Sequence, residues 1–164
     1  MEYTHITHPF GPLFDENSRI LILGSLPSVK SREVNFFYGH PQNRYWKLVA
    51  SLLEEPEPAT VEEKRALMLK HHIAMWDTIM SCDIRGSSDA SIKNVTPTDL
   101  TRILGHSGVG HIFCNGKTSW NYFHKYQEKT LGMTAEVLPS TSPANAAWSL
   151  ERLKGEWQKI LAYL

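Results

Sequence analysis

Four short apolar segments recur along the chain, and each ends in glycine, in proline or in a polar residue. They are RILILG at residues 19–24, HIAMWD at 72–77, HIFCNG at 111–116 and TAEVLP at 134–139. Short runs rich in leucine and β-branched residues are typical of strands buried on both faces of a parallel sheet. Segments with helical patterns lie between them, and this alternation is typical of α/β proteins. The sequence therefore predicts a three-layer α/β/α fold with a four-stranded, mainly parallel sheet.

The predicted helices begin at Asn43, Thr60, Thr96, Lys117 and Asn145. Two of them carry recognisable start signals. Thr60 is followed by Glu63 in the spacing of a capping box, and Thr96 is followed by Pro97, as at a capped helix start with proline in the first helical position. The segment from Asn145 spaces its apolar residues as one helical face requires, which predicts a closing helix packed on the core.

Length and composition limit the class of protein. A chain of 164 residues with 41% hydrophobic residues is long enough for one well-packed domain and short for two, so residues 1–164 are interpreted as a single domain. The first residues lack a basic start followed by an apolar run, and no stretch approaches the roughly 20 apolar residues that cross a bilayer. We therefore expect a cytoplasmic protein with no membrane partner.

Charge and metal-ligating residues exclude several functions. Basic and acidic residues both number 17, so a nucleic-acid surface would have to arise from local charge asymmetry. Cys82 and Cys114 lie far apart and form no CxxC pair, which leaves too few thiolates for an all-cysteine zinc or iron–sulfur site. The eight histidines do not show the spacing of a known metal site. We expect neither a metal nor another cofactor.

Polar loops follow each predicted strand. Ligands of parallel sheets bind at the carboxyl ends of the strands, where these loops meet. GSLPS at 24–28 combines a glycine, a stiffening proline and two hydroxyls, which suits contact with phosphate or a base edge but also an ordinary strand-to-helix turn. PSTSPAN at 139–145 places three hydroxyls before a helix, which suits a phosphate but also a capped helix with no ligand.

The segment NFFYGHPQNRYWKL at 35–48 combines aromatic rings with an uncharged amide. Phe36, Tyr45 and Trp46 are predicted to be core, whereas Tyr38, beside a glycine, is the better candidate for stacking on a base. Asn43 can hold a water through its carbonyl oxygen or serve as a helix cap, and its local sequence decides neither. Asp77, at a strand end, can accept hydrogen bonds from a ligand or be a buried acid satisfied by backbone amides.

Five motifs, taken in order, resemble those of the uracil-DNA glycosylase superfamily, and specifically of its hypoxanthine-DNA (deoxyinosine) glycosylase branch. The motifs are ILILGSLPS, FFYGHPQNRYWKL, MWDTIMSCDIRGSSDASI, FCNGKTSW and LPSTSPAN. The resemblance covers nearly the whole chain and implies a four-stranded, mainly parallel sheet between helices. It assigns the water-positioning role to Asn43 and places Asp77 where a base-reading side chain is expected.

Two positions depart from the pattern of other branches. Several branches carry a catalytic Asp or Asn in the first loop, whereas Leu26 occupies the amide position of the mismatch-specific enzymes here. Ser140 stands where uracil-specific enzymes carry a histidine that stabilises the leaving uracil. Cluster-binding branches need four cysteines, and this chain has two. These departures favour hypoxanthine over uracil as the main substrate.

The resemblance implies a monofunctional DNA glycosylase that flips the damaged nucleotide out and hydrolyses its N-glycosidic bond. The expected partner is DNA containing deaminated bases, and the expected state is a monomer. Asn43 is the predicted catalytic residue. The predicted base-binding residues are Gly24, Ser25, Leu26, Tyr38, Asp77 and Asn115. The predicted contacts with the DNA backbone are Ser28, Lys30, Lys117, Ser140, Ser142 and Asn145. Ala144 and Asn145 occupy the position of the wedge, where a bulky intercalating side chain is absent.

Three alternatives remain open at this point: a glycosylase acting mainly on uracil or mismatched uracil, a hydrolase of free nucleosides, and a non-catalytic nucleic-acid-binding module. A nucleoside hydrolase would turn over free inosine without DNA. A binding module would release no base, and its affinity would not depend on Asn43.

Overall fold

A computed structural model describes residues 2–164 of the chain. The strands in chain order are β1 (Thr4–Thr7), β2 (Ile20–Gly24), β3 (Ile73–Asp77), β4 (Ile79–Ile84), β5 (Lys93–Pro97), β6 (His111–Asn115) and β7 (Glu136–Leu138). The α-helices are α1 (Val29–Val34), α2 (Tyr45–Leu52), α3 (Val61–Lys70), α4 (Thr101–Leu104), α5 (Lys117–Tyr126), α6 (Glu128–Leu131) and α7 (Leu150–Trp157). Short 3-10 helices cover Asp89–Ser91 and Gln158–Tyr163.

The predicted parallel sheet is confirmed, with the strand order β3-β2-β6-β7. All three strand pairs in it are parallel. Both β2 and β3 are buried along their whole length, as expected of strands covered on both faces. The register pairs Gly24 with Asp77 and Asn115 with Leu138, so the four strands end close together along one edge of the sheet. This edge carries the loops that the sequence marked as a site.

A second sheet was not predicted. Strands β1, β4 and β5 form a three-stranded antiparallel sheet in the order β1-β4-β5. The prediction of a polar loop after each strand is wrong after β3, where Ile79–Ile84 form a strand. Buried and partly exposed residues mix along this strand, and only Thr78 separates it from β3, so the sequence offers neither an apolar run nor a turn signal.

The prediction of a helix that starts at Thr96 is also wrong. Thr96 and Pro97 end strand β5 instead, and α4 begins only at Thr101. The order β1-β4-β5 makes β5 an outer strand, where a proline is tolerated because its missing N–H removes no inner ladder bond.

The other helix signals locate their helices with small shifts. Thr60 and Glu63 form the predicted capping box at the start of α3. The closing helix is present, but it begins at Leu150 with Ser149 as its cap rather than at Asn145. Among residues 2–164, no helix is long and apolar enough to cross a membrane.

The main hydrophobic core lies around the parallel sheet and includes the predicted core residues Phe36, Tyr45 and Trp46, which are almost completely buried. A smaller apolar cluster, centred on Ile79, Cys82 and Ile84, lies under the antiparallel sheet.

Both cysteine thiols are expected to be unreactive in the native protein. Burial raises the pKa of the Cys114 thiol to about 12 and also raises the pKa of Cys82, and only the thiolate reacts quickly with disulfide reagents. Titration with a chromogenic disulfide at mildly alkaline pH should count no thiols in the native protein and both in guanidinium chloride. Fast labelling of native protein, mapped to either cysteine by mass spectrometry, would contradict this burial.

Candidate active site

A cavity of about 900 Å³ opens at the carboxyl ends of the parallel strands. Every site residue predicted from the sequence lines this cavity, except Lys30. The nominated residues in its lining are Gly24, Ser25, Leu26, Ser28, Tyr38, Asn43, Asp77, Asn115, Lys117, Ser140, Ser142 and Asn145. Residues far apart in the chain are thus brought together by the ends of four strands.

The basic side chain that α1 contributes to the cavity is Arg32, not Lys30. Lys30 lies 3.3 Å from the Glu33 carboxylate and is more than half exposed. The Arg32 Nη1 atom is buried and has no hydrogen-bond partner in residues 2–164. Sequence reasoning did not find Arg32, because it belongs to no motif and its orientation depends on how α1 packs.

Gly24, Asp77 and Tyr38 converge at the inner end of the cavity. A Cβ atom added to Gly24 would lie 2.4 Å from Asp77 Oδ1 and 3.2 Å from the Tyr38 hydroxyl. The first distance is shorter than any van der Waals contact allows, so the carboxylate can occupy its place only because residue 24 has no side chain. Asp77 itself is 3% exposed.

Tyr38 is held in an unusual conformation beside this carboxylate. Its φ is 52°, in the left-handed region that non-glycine residues rarely occupy. Its ring packs on Tyr45 with 4.4 Å between centroids, and its buried hydroxyl has no hydrogen-bond partner in the described part of the chain. Burial raises the pKa of Tyr38 well above its ordinary value, and the nearby charge of Asp77 raises it further. The phenol therefore stays protonated at neutral pH.

His8 makes a buried hydrogen bond to Asp77. The His8 Nε2 atom lies 2.6 Å from Asp77 Oδ2, and the two side chains are 0% and 4% exposed. His8 directly follows β1, so the antiparallel sheet that was missed also brings this partner to the site. Sequence reasoning assigned no role to His8, because 69 residues separate it from Asp77 and no motif connects them.

The Asn43 side chain belongs to a network with Thr141 and Asn115. Its Oδ1 accepts hydrogen bonds from the Tyr45 backbone N–H at 2.9 Å and from the Thr141 hydroxyl at 2.8 Å. Asn115 Nδ2 donates to the same hydroxyl at 2.9 Å, and Asn115 Oδ1 accepts from the Thr141 N–H at 3.0 Å. The orientation of both amides is therefore set. The helix predicted to begin at Asn43 begins at Tyr45 with Arg44 at the cap position, so Asn43 is not the cap, although its side chain accepts from the first N–H of α2.

Arg44 holds the PSTSPAN loop against this network. Its guanidinium donates to the backbone carbonyls of Ser142 and Asn145, both at 3.0 Å, and to those of Thr141 and Trp148. From α7, the Trp157 indole N–H donates to the Pro139 carbonyl at 2.9 Å. The loop thus has a fixed conformation although it contains no regular structure.

The two serine hydroxyls of this loop are turned toward its own backbone. Ser140 Oγ accepts from the Ser142 N–H, and Ser142 Oγ accepts from the Ala144 N–H, both at 3.1 Å. In the first loop, Ser28 Oγ accepts from the Ser31 N–H at 3.1 Å as the cap of α1. Ser28 Oγ also donates to Ser31 Oγ at 3.1 Å, whereas the hydroxyls of Ser140 and Ser142 keep a proton to donate. Anions such as phosphate are bound by such donors.

The acidic residues in the cavity are Asp77 and Asp89. Burial raises the pKa of Asp89 above its ordinary value, and a hydrogen bond from Thr118 partly opposes this shift. Within residues 2–164, no three His, Cys, Asp or Glu side chains are grouped so that they could hold a metal ion. The chemistry that these residues can perform is hydrogen bonding to a polar ring, aromatic stacking and the orientation of a water.

Comparison with known families agrees with this arrangement. The family model described as the Uracil DNA glycosylase superfamily matches residues 12–164. The chain belongs to this superfamily. The family resemblance drawn from the five motifs is thereby confirmed.

Two relatives in the superfamily carry a more specific name. A hypoxanthine DNA glycosylase of Methanosarcina acetivorans is 32% identical over 160 residues, which cover 96% of this chain and 99% of the relative. A hypoxanthine DNA glycosylase of Methanosarcina barkeri is 32% identical over 150 residues, which cover 90% of this chain and 93% of the relative.

A solved structure in the superfamily has the same fold. The solution NMR structure of a candidate uracil DNA glycosylase from Methanosarcina acetivorans superimposes with a TM-score of 0.78 at 31% identity. The match covers 92% of this chain and 93% of that chain. The parallel sheet and its helices are therefore the superfamily fold.

Proposed function

We propose that this protein is a DNA glycosylase that removes hypoxanthine, the deamination product of adenine, by hydrolysing its N-glycosidic bond. The observation that carries the proposal is the buried Asp77 carboxylate, whose Oδ1 lies beside Gly24 and Tyr38 at the inner end of the cavity. The two similar relatives named hypoxanthine DNA glycosylase support the same substrate.

Asp77 explains how hypoxanthine is distinguished from adenine. Hypoxanthine carries an N1–H, which a carboxylate accepts, whereas adenine carries a lone pair at N1. If adenine entered the site, the buried Asp77 carboxylate would face the N1 lone pair and would have no hydrogen-bond donor. A buried acceptor without a donor is costly in free energy, so adenine is rejected. Guanine also has an N1–H, but its pairing with cytosine is stronger. The cost of extruding a base is least where pairing is already poor, which favours deaminated bases.

Tyr38 and the first loop contact the faces and edges of the flipped base. One face of the Tyr38 ring is covered by Tyr45, so the other is available for stacking, which contributes about 1–3 kcal/mol per base. Backbone groups of the loop from Gly24 to Ser28 stabilise the charge that develops on the base as the bond breaks.

Asn43 positions the attacking water against C1′ of the sugar. The water adds to C1′, the bond to the base nitrogen breaks with its electron pair, and the base leaves and takes up a proton. Since the two lone pairs of Asn43 Oδ1 are occupied by Tyr45 N–H and the Thr141 hydroxyl, the water replaces the hydroxyl of Thr141 at Oδ1. The bond to Tyr45 keeps the amide oriented during the exchange.

The rim of the cavity binds the DNA backbone on either side of the flipped nucleotide. Ser140 and Ser142 donate to phosphates, and Ser28 does so by exchanging its bond to Ser31 Oγ for one to a phosphate oxygen. Lys117 adds local positive charge, although the net charge of the chain is zero. Lys30 contributes from outside the cavity. Ala144 and Asn145 approach the space that the flipped nucleotide leaves in the duplex. Neither is a bulky side chain that could intercalate, which agrees with a preference for bases whose pairing is already weak.

A base-release assay tests the function. Oligonucleotides that carry a single inosine, uracil or xanthine are incubated with enzyme in excess and cleaved with alkali. We expect strand cleavage to be fastest for inosine. Faster release of uracil would favour the uracil-directed alternative, turnover of free inosine would indicate a nucleoside hydrolase, and binding without release would indicate a non-catalytic module.

A further inference from the structure

A buried imidazole lies directly behind the carboxylate that reads the base. We propose that His8 is a positioning residue that holds Asp77 as a hydrogen-bond acceptor and thereby determines which bases the site releases. The inference rests on the proposed function, because it concerns the same carboxylate. His8 lies outside all of the motifs that identified the superfamily.

The hydrogen bonds of His8 determine its tautomer. The Phe10 backbone N–H donates to His8 Nδ1 at 3.4 Å, so this nitrogen carries a lone pair. Nε2 is then the nitrogen that carries a hydrogen, which it donates to Asp77 Oδ2 at 2.6 Å. This bond fixes the orientation of the Asp77 carboxylate and leaves Oδ1 to accept a hydrogen bond on the side of Gly24 and Tyr38.

The imidazole has no freedom to turn away. Its ring lies edge-on to Phe10, with 4.6 Å between centroids, and edge-on to Trp76, with 6.3 Å between centroids. The His8 backbone N–H donates to the Met80 carbonyl at 2.7 Å. Because the side chain is 0% exposed, water cannot replace it as the donor to Asp77.

This bond selects the carboxylate oxygen that meets the base. With Oδ2 committed to His8, Oδ1 remains on the side of Gly24 and the Tyr38 hydroxyl, both of which line the cavity. If the imidazole were replaced by an apolar group, Oδ2 would be buried without its donor. The carboxylate would then rotate to find another donor, and Oδ1 would no longer be held where it accepts from an N1–H. The selectivity for a base with an N1–H would fall.

Two variants of His8 with amide side chains, His8→Gln and His8→Asn, separate the positioning of Asp77 from packing. In His8→Gln the amide N–H reaches about as far from the backbone as Nε2, whereas in His8→Asn it stops at the position of Nδ1. Both amides are similar in size and polarity, so only the reach of the donor differs between the variants. His106→Leu, at an exposed histidine outside the cavity, is the control for histidine loss.

The experiment compares oligonucleotides that contain inosine with oligonucleotides that contain deoxynebularine. The base of deoxynebularine is unsubstituted purine. This base is smaller than hypoxanthine and has a lone pair at N1 in place of the N1–H. Single-turnover release is measured with wild type, His8→Gln, His8→Asn, Asp77→Asn and His106→Leu, after thermal melts establish that each is folded. Where release from deoxynebularine falls below detection, the preference is measured as a ratio of dissociation constants for the two oligonucleotides, with Asn43→Ala added to each variant to prevent base release.

For His8→Asn, and likewise for Asp77→Asn, we expect the preference for inosine over deoxynebularine to fall about ten- to a hundred-fold, as for loss of a hydrogen bond to a charged group. His8→Gln should retain most of the wild-type preference. A purely structural role would lower release from both substrates equally and leave the preference unchanged. That result, or equal preferences in His8→Gln and His8→Asn, would overturn the inference. Failure of the proposed function is distinguishable, because wild type would then release no hypoxanthine.

Discussion

Replacement of Asn43 by alanine is expected to lower the single-turnover rate of hypoxanthine release by about two to four orders of magnitude, the range that one positioned catalytic group contributes. The reason is geometric. Asn43 Oδ1 is directed by Tyr45 N–H and the Thr141 hydroxyl, and alanine leaves no acceptor in that place for a water. Binding to an inosine duplex should be largely retained, since the base and phosphate contacts lie elsewhere. Fluorescence anisotropy with labelled duplex measures this affinity.

The control for Asn43→Ala is Asn121→Ala, at an exposed position on α5 that does not line the cavity. Loss of the acceptor for Tyr45 N–H should also reduce the free energy of unfolding of Asn43→Ala by about 1 kcal/mol, as for the loss of one intramolecular hydrogen bond. Denaturant titration measures this change and shows whether the variant is folded at the assay temperature. A variant that stays folded and releases hypoxanthine at the wild-type rate would exclude Asn43 as the residue that positions the water.

The sequence predicts the parallel sheet and the cavity because both depend on local patterns. Strand β2 is an uninterrupted apolar run, so it is recognisable without knowledge of its neighbours. Its end at Gly24 is paired with the end of β3 at Asp77, and a parallel sheet places these ends together by geometry alone. Loops that follow parallel strands therefore meet even when 50 or more residues separate them, which is why most nominated residues line one cavity.

The antiparallel sheet could not be predicted in the same way. Buried and partly exposed residues follow one another along β4 without regular alternation, and the strand begins immediately after β3 with only Thr78 between them. Its pairing with β1 joins Thr4 to Ile84, a contact between the two ends of a long stretch of chain. Contacts of this kind leave no periodic signal in either segment.

His8 and Arg32 were missed for a related reason. Neither residue has a distinctive neighbourhood in the sequence. Folding alone brings His8 to Asp77 and Arg32 to the cavity. The two roles considered for Asn43 illustrate the opposite case. The sequence marked Asn43 for two possible roles, as a helix cap and as the holder of a water, and decided neither. Its Oδ1 accepts from the Tyr45 N–H, next to the cap position, and from the Thr141 hydroxyl, so bonding at the start of α2 is compatible with the proposed water-holding role.

Gly24→Ala is expected to reduce hypoxanthine release at least about a hundred-fold, the loss that a displacement of about 1 Å causes at a reacting centre. The new methyl carbon would lie 2.4 Å from Asp77 Oδ1, so one of the two must move. Strand β2 is paired with β3 and β6, and the Asp77 carboxylate is hydrogen-bonded to His8, so neither can move without weakening these bonds. The free energy of unfolding should fall by about 1–3 kcal/mol, as in other overpacked interiors.

Gly155→Ala is the matched control, because a Cβ at that position in α7 meets no atom within 4 Å. This control should keep the wild-type rate and gain up to about 1 kcal/mol in stability, since alanine is the better helix former. The two substitutions add the same methyl group, so a difference in base release between them reports the contact at Asp77 and not the change in volume. Wild-type kinetics in Gly24→Ala would mean that the base is read elsewhere in the cavity, because a displaced Asp77 carboxylate could not then be the group that contacts N1.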